Sequence, residues 1–283
     1  TRWESWSKDS NLGSSVWQGE NPPTGAILNY YVQADGPATI TITDATGATV
    51  NRISDRGRQG INRVVWNMSW AAPEGMPSGG GRGGGRGGGG GGGLPALPGM
   101  YTATISAAGK TASKTFELRG DPDVALSMAE YQEQFDTARL AQDLVVRATQ
   151  ILTTAEDLTA QVEMVETQVK NAGVVNLDQI LEQTGTAKGQ LNELINKLRR
   201  PQPSMGYRMY PRLLEELRST LSSILGAQAR PTDGLKTVLK ELDGDAALRA
   251  QELTRVIDTA IAALNKQLGD QPKVLVPRSG GGR

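Results

Sequence analysis

The spacing of apolar residues changes once along this chain, near residue 121, and that change limits the folds open to it. Upstream, apolar side chains recur at every second position, the repeat of a strand whose two faces differ. Downstream they step by three and four, the repeat of a helix with one apolar stripe. Each half must close its own core, so the pattern predicts an α+β multidomain chain. At roughly 100 to 200 residues per domain, 283 residues leave room for two.

Residues 21–120 carry the period of two. Ile27, Leu28, Tyr30 and Val32 follow Asn21-Pro22-Pro23, and Ile40 and Ile42 alternate with Thr39, Thr41 and Thr43. Asp44-Ala45-Thr46-Gly47 turns the chain toward Val50 and Ile53. Ile61, Val64, Val65 and Trp66 come next, then Tyr101, Ala103 and Ile105, then a turn at Ala108-Gly109-Lys110 before Phe116 and Leu118. Six or seven short strands separated by Gly, Asp and Pro predict an antiparallel β-sandwich. Within it, residues 78–93 are glycine after Ser78 except for Arg82 and Arg86, a composition that cannot offset its ordering entropy by burial and reads as a surface loop. Two arginines without interleaved Phe or Tyr do not make an RNA-binding segment.

Residues 121–270 carry the helical period. Ser127-Met128-Ala129-Glu130 is a capping box, and Leu144, Ala148, Ile151, Ala155, Leu158, Val162, Val165 and Val169 form a seam that favours near-parallel packing of helices. Asn176 offers a second N-cap, Gly185 and Gly189 weaken the helix that ends at Leu198, Pro211 opens a third, and Thr232 caps a last segment with a break expected at Gly244. Asp243-Gly244-Asp245 reads there as a helix break with a new cap. The product is an up-and-down α-helical bundle of about four helices, its seam forming an internal core. Residues 271–283 read as a tail, and residues 1–20 as an arm that carries Trp3, Trp6 and Trp17, three of the five tryptophans.

Chemistry is constrained by what the composition omits. With no His and no Cys there is no imidazole base, no thiol nucleophile, no disulfide and no ordinary zinc set. No pair of carboxylates stands out, so no catalytic, cofactor-binding or metal-binding residue is assigned, no cofactor is expected, and the chain reads as a non-enzyme. Residues 1–120 hold 11 basic and 8 acidic side chains and residues 121–283 hold 19 and 22, so +3 faces −3. That small difference is no nucleic-acid footprint. No apolar run reaches the ~18 residues of a membrane span. The start at Thr1 without an initiator Met suggests processing or an omitted upstream portion.

The ordered blocks Asn21-Pro22-Pro23-Thr24-Gly25-Ala26-Ile27, Ile40-Thr41-Ile42-Thr43-Asp44, Gly60-Ile61-Asn62-Arg63-Val64-Val65-Trp66-Asn67-Met68 and Leu97-Pro98-Gly99-Met100-Tyr101-Thr102 resemble a known arrangement. It is similar to the region after the propeller in bacterial exported sortilin-like proteins with sialidase-type (BNR) repeats, often labelled glycosyl hydrolases. There an immunoglobulin-like domain is followed by Asp-Pro, matched by Asp121-Pro122, and a helical region. The S-x-D-x-G-x-x-W repeat of the propeller does not occur in this chain, so the hydrolase label transfers to no residue here.

The resemblance implies a non-catalytic scaffold or protein-interaction region of an exported envelope protein, periplasmic or extracellular. Its partner would be another protein or an upstream propeller. Two alternatives stand beside it: a carbohydrate-binding accessory module of a glycoside hydrolase, whose aromatic side chains grip glycans, and a subunit of a larger membrane-associated complex. The candidate interface residues are Trp3, Trp6 and Trp17 in the arm, and Arg199, Arg200, Tyr207, Arg208 and Tyr210 in the densest basic and aromatic cluster.

Overall fold

In the computed structural model of the chain, the residues described are 23, 25–76, 93–172, 175–201, 210–227, 229–269 and 272–275. The chain is mixed α and β, with antiparallel sheets first and helices after, as the change of period requires. It divides into two compact units, residues 1–138 with 227–230 and residues 139–226 with 231–283.

Among the described residues, the first unit contains six strands: β1 (Ala26–Val32), β2 (Gly36–Asp44), β3 (Thr49–Gly57), β4 (Gly60–Trp66), β5 (Gly99–Ala107) and β6 (Lys110–Leu118). β1 pairs with β4, and a four-stranded sheet runs in the order β3-β2-β5-β6; all neighbours are antiparallel. Alternation makes the core. Ile40 lies opposite both Ile53 and Ile105, and Tyr101 opposite Phe116, so one face of the larger sheet is apolar while Thr102 faces Thr115 and Thr104 faces Ser113 on the other.

Turn chemistry fixes these registers. The Asp44 carboxylate accepts hydrogen bonds from the Thr46 and Ala48 amides at 2.9 Å each and from the Thr46 hydroxyl at 2.7 Å, closing the β2–β3 turn. Ala108 and Gly109 both adopt positive φ, 49° and 73°, the geometry that two-residue hairpins need to match strand twist.

Side chains of both sheets meet in one cluster of Ile40, Ile42, Val50, Val64, Trp66 and Tyr101. Trp66 is fully buried, its centroid 5.3 Å from that of Tyr101 and 6.1 Å from that of Phe116, and its indole N–H donates to the Ser69 carbonyl at 2.9 Å. Hiding an indole of that size is worth roughly 4–6 kcal/mol by area. The glycine-rich loop expected at 78–93 lies outside the described residues except for Gly93, but its base is pinned: Trp70 donates to Leu94 O at 2.7 Å and Ala96 to Met68 O at 2.8 Å.

The helices are α1 (Met128–Ala172), α2 (Leu177–Leu198), α3 (Leu213–Gly226), α4 (Asp233–Val256) and α5 (Ala262–Leu268), with a single π-helical turn, Ile257–Ile261, joining the last two. The capping box forms: Ser127 N–H donates to Glu130 Oε2 at 2.8 Å and Glu130 N–H to Ser127 Oγ at 3.3 Å. All eight seam residues from Leu144 to Val169 are buried. Thr232 caps α4 by accepting from Leu235 N–H.

Ion pairs give the helix directions in the second unit. Glu166 meets Lys188 and Glu156 meets Arg199, so position falls along α1 as it rises along α2, and the two are antiparallel. Arg147 meets Asp243 at 3.7 Å and Lys197 meets Glu252 at 3.3 Å, so α4 runs in the sense of α1. Asn265 on α5 holds residue 274 by two hydrogen bonds, donating to Val274 O at 2.9 Å and accepting from Val274 N–H at 2.8 Å.

Two local expectations are corrected. Gly244 breaks nothing, because α4 passes through it; buried Leu242 and Ala246 on either side hold the helix, and Asp245 pairs with Arg249 instead of capping. Asn176 does precede α2, but in a left-handed conformation, φ 67°, with no side-chain cap. Among the described residues no helix is long and apolar enough to cross a membrane.

Candidate functional site

Of the predicted interface residues, Trp3, Trp6, Trp17, Tyr207 and Arg208 lie outside the described residues, while Arg199, Arg200 and Tyr210 are brought together where α2 ends and α3 begins. Arg199 terminates α2 in an extended conformation, φ −141°, and its amide still reaches Ile195 O at 3.0 Å. Its guanidinium lies 2.6 Å from Glu156 of α1.

Arg200 and Tyr210 are tied through the same few bonds. Glu215, in the first turn of α3, accepts from Arg212 N–H at 2.8 Å with one carboxylate oxygen and from Arg200 N–H at 3.3 Å with the other. A carboxylate there satisfies free amides and meets the positive end of the helix dipole. The Arg200 side chain then donates from Nε to the Tyr210 carbonyl at 3.3 Å. Backbone positions at both ends of the connection are therefore fixed, and the Tyr210 ring is left 85% exposed.

The arrangement offers surface recognition more than proton transfer. Both acids near the cluster, Glu156 and Glu215, are already engaged, and exposed tyrosine and arginine are residue types that protein interfaces favour. Among the described residues no three His, Cys, Asp or Glu side chains gather as metal ligands.

Two features escaped the sequence. A charged network links α2 and α4: Lys197 bonds Glu193 at 2.9 Å and Glu252 at 3.3 Å, and Arg249 reaches Glu252 and Asp245 at 2.7 Å each. The hydrogen bond to Glu193, with Glu252 adding to it against desolvation, raises the Lys197 ammonium above its ordinary pKa. The i,i+4 spacing of Asp245 and Arg249 was the available signal. The second feature is an apolar outer face on the β1–β4 pair, where Ile27, Tyr31, Ile61 and Val65 are exposed. Apolar residues at both odd and even positions of β1 were its trace in the sequence.

No protein-family model, no curated protein and no solved structure matches the chain.

Proposed function

We propose that this chain is a non-catalytic scaffold, an immunoglobulin-like sandwich followed by an up-and-down helical bundle, that attaches an exported sortilin-like propeller protein to a protein partner at the bacterial envelope. The observation that carries the attachment role is the Tyr210 ring, 85% exposed on a backbone pinned by Arg200 and Glu215. An exposed tyrosine whose backbone is held beside arginines has the composition of interface hot spots.

The sandwich reading is supported by the strand orders β3-β2-β5-β6 and β1-β4 contributing to one core, and the bundle reading by α2 antiparallel to α1 and α4. The absence of His and Cys from the sequence supports the non-enzymatic reading.

A photo-crosslinking amino acid placed at position 210 in the cells that make the protein tests it. One discrete protein adduct is expected at 210 and none at Ser113 on the threonine-rich sheet face. No adduct at 210, or glycan-array binding that Tyr210→Ala abolishes, would replace attachment to protein with carbohydrate recognition or with no role for this surface.

A further inference from the structure

In the second unit, a short segment after α5 is held the way a bound peptide is held. Asn265 of α5 donates from its amide nitrogen to Val274 O at 2.9 Å and accepts from Val274 N–H at 2.8 Å. Gln161 of α1 does the same for the next residue, donating to Leu275 O at 2.9 Å and accepting from Leu275 N–H at 2.7 Å. Each amide thus takes both main-chain groups of one residue, as a neighbouring strand does in an antiparallel ladder. Val274 is 2% exposed, while Lys273 and Leu275 on either side are exposed, the alternation of an extended chain. Successive residues of such a chain turn their N–H and C=O groups to opposite edges, so α1 and α5 grip it from two sides.

We propose that this clamp is a recognition site for an extended peptide with one buried β-branched aliphatic residue, that residues 272–275 occupy it in cis, and that a partner polypeptide of the same chemistry takes their place. Main-chain bonds are blind to side-chain identity, and only the position of Val274 selects, for an aliphatic group. A strap that served only to tie down the chain would rest on buried side chains, yet Leu275 is 72% exposed and held by its backbone alone. The clamp uses none of the residues at Tyr210, so neither proposal depends on the other.

Closure and release follow from the same contacts. Residues 272–275 bury one side chain, so the strap opens locally at far less cost than the helices beneath it. α5 ends at Leu268, six residues before Val274, and so short a tether keeps the strap beside the clamp at an effective concentration in the millimolar range. A free peptide making the same contacts therefore competes poorly, its apparent affinity reduced to the fraction of time that the clamp stands open. With the strap out, two amides and an apolar position lose their partners, and a second peptide with this backbone pattern restores them.

The test uses the full chain and a fluorescein-labelled peptide of sequence Pro-Lys-Val-Leu, blocked at its C-terminus and followed by anisotropy. Two variants release the strap: Val274→Asp, which puts a charge where the buried valine sits, and Leu275→Pro, which removes the N–H that Gln161 accepts. Helical circular dichroism verifies the fold of every variant. Both are expected to bind the peptide at least about tenfold more tightly than the wild-type chain. Adding Gln161→Ala and Asn265→Ala to either is expected to abolish that binding, as is aspartate in place of the peptide's valine. No binding by either released variant overturns the proposal. So does equal binding by wild-type and released chains, and so does binding that survives the loss of both amides. Wild-type dimers that dissociate in Val274→Asp would assign the clamp to a second copy and overturn it likewise.

Discussion

Trp66 has three roles at one side chain: it closes the sheet core, packs at a tilt against Tyr101 and edge-on against Phe116, and donates to the Ser69 carbonyl. Replacing it with Ala is expected to destabilise the first unit by about 3–5 kcal/mol, seen as a lowered denaturation midpoint, because a large cavity opens in the sheet core. Tyr30 gives a pH signature. Burial first, then the hydrogen bond to Asp55 and its charge, push the phenol up to about 12 from 10.0. The fold thus favours the protonated form, a contribution complete below 10 and lost as pH climbs from 10 toward 12. Across that window the wild-type midpoint is expected to fall further than that of Tyr30→Phe; parallel curves would remove Tyr30 from the alkaline transition. At this scale the sequence was informative about burial and poor about pairing. Trp66 was readable as core from its place in an alternating strand. Nothing local tells that Arg199 pairs with Glu156 or that Arg200 meets Glu215, since those partners are chosen when helices dock.

Among the elements, α4 shows where propensity yields to packing. A glycine flanked by two aspartates reads as a stop, yet the helix continues because Leu239, Leu242 and Ala246 bury one stripe through the doubtful turn. Gly244 itself is exposed, and an added Cβ would meet nothing within 4 Å. Gly244→Ala is therefore expected to stabilise the protein by roughly 0.5–1 kcal/mol, measured as a raised midpoint; a loss would mean that the glycine serves a bend after all. The long seam of α1 was legible because eight apolar residues repeat without interruption. Asn176 makes no side-chain cap because its backbone is left-handed, whereas a capping residue takes an extended conformation.

Over the whole molecule, the change of period near residue 121 announced sheets followed by helices, and the chain has two cores, one led by Trp66 and one by the leucines of α1 to α5. Hydrogen exchange in rising denaturant is expected to open strands β2 and β5 at a different concentration from α2 and α4, since each set buries its own apolar cluster. A single shared midpoint would show one cooperative unit. What composition could not reveal was the outer face of β1 and β4, because a strand apolar on both sides reads simply as one buried on both sides. The π turn at Ile257–Ile261 is a stretch of helix that accommodates one surplus residue without breaking. Deleting Thr259 is therefore expected to leave an uninterrupted α-helix whose downstream residues keep their facing, so that Asn265 retains its two hydrogen bonds to Val274.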